Sequence, residues 1–453
     1  MSAFLSVTKR ELAIMHRSRT LWLLIALVSL IGIGTAVLEH RAWAEESAQR
    51  GNLQQQEIGQ WLGLGDTHFH TAAHRGLFLV QPIPAGVILD RGVWDFSGSA
   101  IWLEAHQRNA AQLRAVDAQA FIGRGLPRGV GPVLLWIAPL LTIVLFHGIV
   151  ASDRRSGVLA FSVSSGAPPG AIALGKFAAL SIAGLVAITA PAVLAIGLAT
   201  SGGLAIIDGL AWLSALAATI LIASAVIVAV SAASKRTVNA LILLLMLWFV
   251  AVVLWPRVAA QVTQIVAPLP SSQVVRSEAE ALVHDLDFSK AEERIAEQLR
   301  EEGIAQPTPA AVNIMASETA TAEALVPLFA PLEDGMARQA AWMDWLSLAS
   351  PLFAADRYLD GVATTSDRDQ IAFEQDAEEA RLAAQLAMGR EWAKVEGGDA
   401  GSPEAWGAVI DASFAQIEER DARPLGPMGV VLWLIIAAGL LALSIRSVRA
   451  AAA

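Results

Sequence analysis

Six stretches of this 453-residue chain, 20–38, 132–151, 177–200, 209–232, 238–255 and 428–445, contain no Asp, Glu, Lys or Arg and are almost wholly apolar. A helix needs about 20 such residues to cross about 30 Å of hydrocarbon, and an unpaired charge inside that layer costs several kcal/mol. The six runs therefore restrict the chain to an α-helical polytopic membrane protein with six transmembrane helices. Composition agrees, with 55% hydrophobic and only 16% charged residues, against roughly 25% charged in soluble domains. Buried helices of a soluble core rarely supply six charge-free runs of this length.

The charges between the runs set the expected orientation. Segments 1–19, 152–176, 233–237 and 446–453 together carry eleven basic residues and only two acidic ones, Glu11 and Asp153. The rest of the chain holds 40 acidic against 21 basic residues. Basic residues are retained on the cytoplasmic side, so both termini are expected inside. The two long loops, 39–131 and 256–427, are expected outside. Ala42-Trp43-Ala44 imitates a signal-peptidase site, but the apolar run before it is too long for a signal peptide and Glu39, His40 and Arg41 intervene, so an uncleaved first helix is expected. There is no cysteine, hence no disulfide and no thiolate chemistry.

Residues 1–19 mix Phe4, Leu5, Val7, Leu12, Ile14 and Met15 with four basic residues, the pattern of a helix lying in the headgroup plane. The outer loops are too long to be linkers and predict one mixed, mostly helical extracytoplasmic domain assembled from both. Within it, Ser289 to Glu292 reads as a capping box for a helix carrying Ile295 and Leu299 and stopped by Gly303. Residues 367–395 predict a long helix ended by Gly397-Gly398. Ser402-Pro403 starts another helix, running to about Arg420, with Trp406, Ile410, Phe414 and Ile417 on one face. "LFLV", "GVILD" and "SAIWL", within 75–103, read as short strands.

"GAIALGKF", residues 170–177, imitates a phosphate-binding loop. That motif needs Ser or Thr after the lysine to ligate Mg²⁺, whereas Phe177 follows Lys176, and Pro168-Pro169 precludes the strand that should come before. No nucleotide site is expected here. His68, His70 and His74, beside Asp66, are metal-ligand residue types, but no single helix or strand presents all three on one face, and a polar surface loop is the plainer reading. Zincin and hydrolase motifs are missing, and the charge-free spans speak against an ion-coupled carrier.

The segment between the second and third runs, "SDRRSGVLAFSVSSGAPPGAIALGK", is more specific. An acidic-basic cluster, then Gly157 and Leu159, a small-residue turn, and Gly175-Lys176 opening the third helix resemble the coupling loop of permease subunits of type-2 ABC exporters. Asp153 stands where that family usually has Glu, and Gly166 where it usually has Pro. Residues 346–381, with Ser350-Pro351 and Phe373, are similar to a subfamily with large extracytoplasmic loops and an uncharacterised domain; Gln370 occupies the position of that subfamily's histidine.

The resemblance implies a multi-pass protein of the bacterial cytoplasmic membrane that exports an unidentified substrate. ATP and Mg²⁺ would be bound and used by a separate ABC ATPase subunit, which docks at Asp153, Arg154, Arg155, Gly157, Leu159 and Lys176, while this chain binds no cofactor and is no enzyme. It further implies a homodimer, or a heterodimer with a paralogous permease, and no nucleic-acid partner. A membrane-anchored extracytoplasmic binding or assembly protein is the alternative, and a membrane enzyme built on the three histidines a third reading.

Overall fold

A computed structural model describes residues 3–114, 117, 128–395, 398–417 and 426–452. Helix α1 (Ala3–Arg17) precedes α2 (Thr20–Leu62), and α3 (Phe69–Arg75) is followed by strands β1 (Leu77–Val80) and β2 (Ala100–Leu103). Next come α4 (Val130–Arg155), the short α5 (Val158–Ser164), α6 (Pro169–Ser201) and α7 (Ile206–Ala233), and α8 (Thr237–Val266). Helices α9 (Ser272–His284), α10 (Ser289–Glu301), α11 (Pro309–Ser347), α12 (Pro351–Val362), α13 (Asp367–Ala393) and α14 (Pro403–Phe414) precede the last, α15 (Met428–Ala452). Helices α2, α4, α6, α7, α8 and α15 are long and apolar enough to cross a membrane.

The middle of the bundle is α6, which packs against α1, α2, α7 and α15. Its inner face is built of small side chains, with Ala179, Ala183, Ala187, Ala192, Ala195 and Ala199 all buried. Lipid offers no hydrophobic drive for helix association, so close van der Waals approach between small residues has to supply it. Two spans carry a π-helical turn, at Val133–Ile137 in α4 and Val250–Leu254 in α8. Beside them the Trp248 indole of α8 donates to the Trp136 carbonyl of α4.

One end of the bundle carries a large domain made from both long connections. Its core joins Trp61 at the end of α2 to Phe69, Leu77, Leu103, Leu299, Met315, Phe373, Trp392 and Trp406. The strands β1 and β2 pair antiparallel, Leu77 opposite Leu103 and Val80 opposite Ala100. Side-chain caps start the helices where the sequence provides them: Ser350 accepts from the Phe353 amide, Ser402 from the Ala405 amide, and Ser366 with Asp369 forms a capping box. Trp255 and Trp433 donate to the Leu346 and Leu348 carbonyls, tying two spans to the end of α11.

Four expectations change. The first span does not end near residue 38 as a helix, because "EHRAWAEESAQRGNLQQQEIGQWL" contains no proline and is rich in helix formers, so α2 runs on to Leu62 inside the domain. "GVILD" is not a strand: Ala85–Ile88 form a 3₁₀ turn, entered from Pro84 and buried against α2 and α6. Ser289 is the first helical residue of α10 rather than its cap, and its amide is met by the Asp287 carboxylate instead. The third span begins at Pro169, eight residues before the apolar run, since a proline at the first helical position costs no hydrogen bond. Helix α14 ends at Phe414; Arg420 and Gly397, named in the expected helix ends, lie outside the described residues.

Candidate functional site

The end of the bundle opposite the domain gathers α1, α5, the start of α6 and the ends of α4, α7 and α15. A small apolar core holds it together, in which Val150, Leu159, Ile172, Ala173, Val228, Ala232 and Val448 are buried and Val7 packs alongside. Around that core stand the exposed cations Lys9, Arg10, Arg17, Arg19, Arg155, Lys235, Arg236, Arg446 and Arg449.

At its centre lies Lys176, only 1% exposed. The ammonium meets Glu11 Oε1 of α1 at 2.9 Å, Asp153 Oδ2 of α4 at 2.7 Å and the Ile149 carbonyl at 2.7 Å. A buried cation persists only when such partners replace its hydration, and here they come from two other helices, α1 and α4. Lys176 does not open the helix but lies two turns inside α6, because α6 starts at Pro169. Gly175 explains how α1 comes close enough: a Cβ there would sit 2.7 Å from Val7 Cβ and 3.2 Å from the Phe4 carbonyl. Only glycine lets the two helix backbones approach so that Glu11 reaches the ammonium.

Arg154 is spent on architecture. Its guanidinium donates to the Ser234 and Ala232 carbonyls, satisfying acceptors that the last turn of α7 leaves without intrahelical partners. Ser231 Oγ of α7 accepts from the Val150 and Ala151 amides at 3.0 and 3.1 Å, repairing the break in α4 around residues 147–150. Arg155, one position on, is exposed.

Gly157 has φ 77°, a left-handed conformation that lets the chain reverse into α5 without strain. Along α5, Leu159 is 1% exposed while Phe161 is 73% exposed. Two residues on a helix are separated by about 200°, so anchoring Leu159 in the core drives Phe161 outward. The structure thus brings Asp153 and Lys176 together, uses Gly157 and Leu159 to aim α5, leaves Arg155 on the surface and takes Arg154 away from it.

Sequence reasoning missed Glu11, Ser231 and Phe161. Glu11 had a signal, being the sole acidic residue before Glu39 in a basic amphipathic segment. Phe161 had a weaker one, an aromatic two positions after Leu159 in an otherwise small, polar stretch.

The histidines sit in the domain, far along the chain from this end. His68 caps α3, its Nδ1 accepting from the His70 amide at 3.1 Å. His70 and His74 share a face of α3, with ring centroids 4.7 Å apart. Among the described residues no group of three or more His, Cys, Asp or Glu side chains is arranged to hold a metal ion.

No curated protein matches the chain. The family model described as ABC-2 family transporter protein matches residues 5–446, nearly the whole chain.

Proposed function

Because the chain belongs to the ABC-2 transporter family, we propose that it is the permease subunit of an exporter powered by ATP hydrolysis in a separate ATPase, which docks on the basic end through α5. The observation that carries this reading is the pairing of an outward Phe161 with an inward Leu159. An exposed aromatic ring at the basic end of the molecule has the make-up of a protein-interface anchor. A push on Phe161 would pass through Leu159 to the buried ends of α4, α6 and α7, and through the Lys176 ion cluster to α1. Such a coupled set of helix ends is what a two-state transport element requires.

The remaining parts of the reading follow from charge and exposure. The basic end faces the cytoplasm, and the acidic domain faces outward from a bacterial cytoplasmic membrane. Helices α2, α8 and α15 leave most of their apolar surface uncovered. Six spans enclose little space for a solute, so the working unit is a dimer, with a second copy or a paralogue. Nucleotide and Mg²⁺ belong to the ATPase: Lys176 is held by two carboxylates and followed by Phe177.

The test is co-purification with a candidate ABC ATPase co-expressed with this chain. Phe161→Asp is expected to cost at least about 2 kcal/mol of association and to abolish substrate-stimulated hydrolysis, with normal membrane insertion and melting temperature. Unchanged association would overturn docking through α5. Failure of the unaltered protein to capture the ATPase would favour a membrane-anchored binding or assembly protein.

A further inference from the structure

The domain contains a cleft of about 670 Å³, within the size range of small-molecule sites. Two helices give it apolar walls, Val275, Ala279 and Val283 on α9 and Leu325, Phe329 and Met336 on α11, at the four- and seven-residue spacings that place side chains on one face.

Its third wall is polar and carries two carboxylates, Glu104 and Glu374. Glu104 and His106, after β2, and Glu374 of α13 line it. His106 is held in the left-handed region at φ 59°, costly for a residue with a side chain. The conformation persists because Glu318, fully buried, accepts from both the His106 amide at 2.7 Å and its ring Nδ1 at 2.8 Å. Arg381 holds the other oxygen of Glu318. Arg108, also in the lining, is paired with Glu333 at 2.6 Å and lies 4.6 Å over the Phe329 ring. That arrangement shows the local chemistry: a carboxylate and an aromatic face already receive a cation here. In the lining, Glu104, Glu280, Glu333 and Glu374 stand against Arg108 and Arg276, with His74, His106 and His284 beside them.

We propose that this cleft binds an amphipathic organic cation, its apolar body between α9 and α11 and its positive group against Glu104 and Glu374. The site stands apart from the basic end and needs no ATPase to be tested.

The experiment is equilibrium binding of radiolabelled tetraphenylphosphonium to the full chain in nanodiscs, with empty nanodiscs correcting for uptake by lipid. Saturable binding is expected, weakened about tenfold or more by Glu104→Gln combined with Glu374→Gln and also weakened by Phe329→Ala. The exposed control Glu293→Gln should change nothing. All three variants alter groups outside the fully buried core, and circular-dichroism melts verify that they fold. Absence of saturable binding, binding indifferent to the cleft variants, or equal competition by the anionic isostere tetraphenylborate would each overturn the proposal.

Discussion

Neighbouring arginines differ most instructively at the residue scale. Arg154 and Arg155 are indistinguishable in sequence, yet one closes the end of α7 through two carbonyls and the other meets solvent. Arg154→Glu should therefore lower the melting temperature of the purified protein, whereas Arg155→Glu should leave it unchanged and weaken ATPase association. Equal melting temperatures for the two variants would remove the capping role. Lys176→Met is the harsher change, since it strands Glu11 and Asp153 without their buried cation. Breaking one side of such a pair costs about 3–5 kcal/mol, so a large loss of folded yield in detergent is expected. Adding Glu11→Gln and Asp153→Asn to Lys176→Met should restore part of it. Purified alone, the unaltered chain should show no saturable ATP binding by equilibrium dialysis, because Lys176 has no freedom to reach a phosphate.

At the scale of elements, α12 is the wedge between domain and bundle. Leu352, Ala355, Leu359 and Val362 enter the same core as Leu134, Leu216 and Val430 of the spans. Its polar face meets Asp90 from the loop after β1, and Asp90 and Asp360 are both buried. Burial first, and then a neighbouring negative charge, that of Asp360 on Asp90 and that of Asp356 on Asp360, pushes both well above the ordinary aspartate value. Asp356, one turn earlier, is pushed up to about 7 by burial. Raised acids bind protons more tightly in the folded state, so their contribution is fully present below an unfolded value of about 3.9. It is lost as pH rises through the raised folded values. Melting temperature is thus expected to fall from weakly acidic to alkaline pH, and Asp360→Asn to flatten that fall and raise stability at the alkaline end. A pH profile identical to the unaltered protein would show that this pair carries no such linkage.

For the whole molecule the question is which end faces which side. The absence of cysteine allows single-cysteine probes without background. With the basic end inside, a probe at exposed Ser277 on α9 should react with a membrane-impermeant maleimide on spheroplasts or intact cells with a permeable outer layer. A probe at exposed Ser164, on α5, should react only after lysis. Ser402 is a poorer choice because it caps α14. Labelling of Ser164 from outside would reverse the molecule and end the docking proposal.

Six apolar helices long enough to cross a membrane, the amphipathic α1, the cap at Ser402 and the crowding of cations at one end were all determined by the sequence itself. Each depends on a one-body or nearest-neighbour energy: the transfer of an apolar segment, the position of a cation relative to a membrane, a hydroxyl meeting an amide three residues on. What only the tertiary structure decided has a different character. Lys176 finds Glu11, 165 residues earlier; His106 is pinned by Glu318, 212 residues later; the cleft draws on α9, α11, α13 and the segment after β2. Those pairings have no local pattern, because their energy arises when distant groups are desolvated together, and packing selects which buried charge meets which.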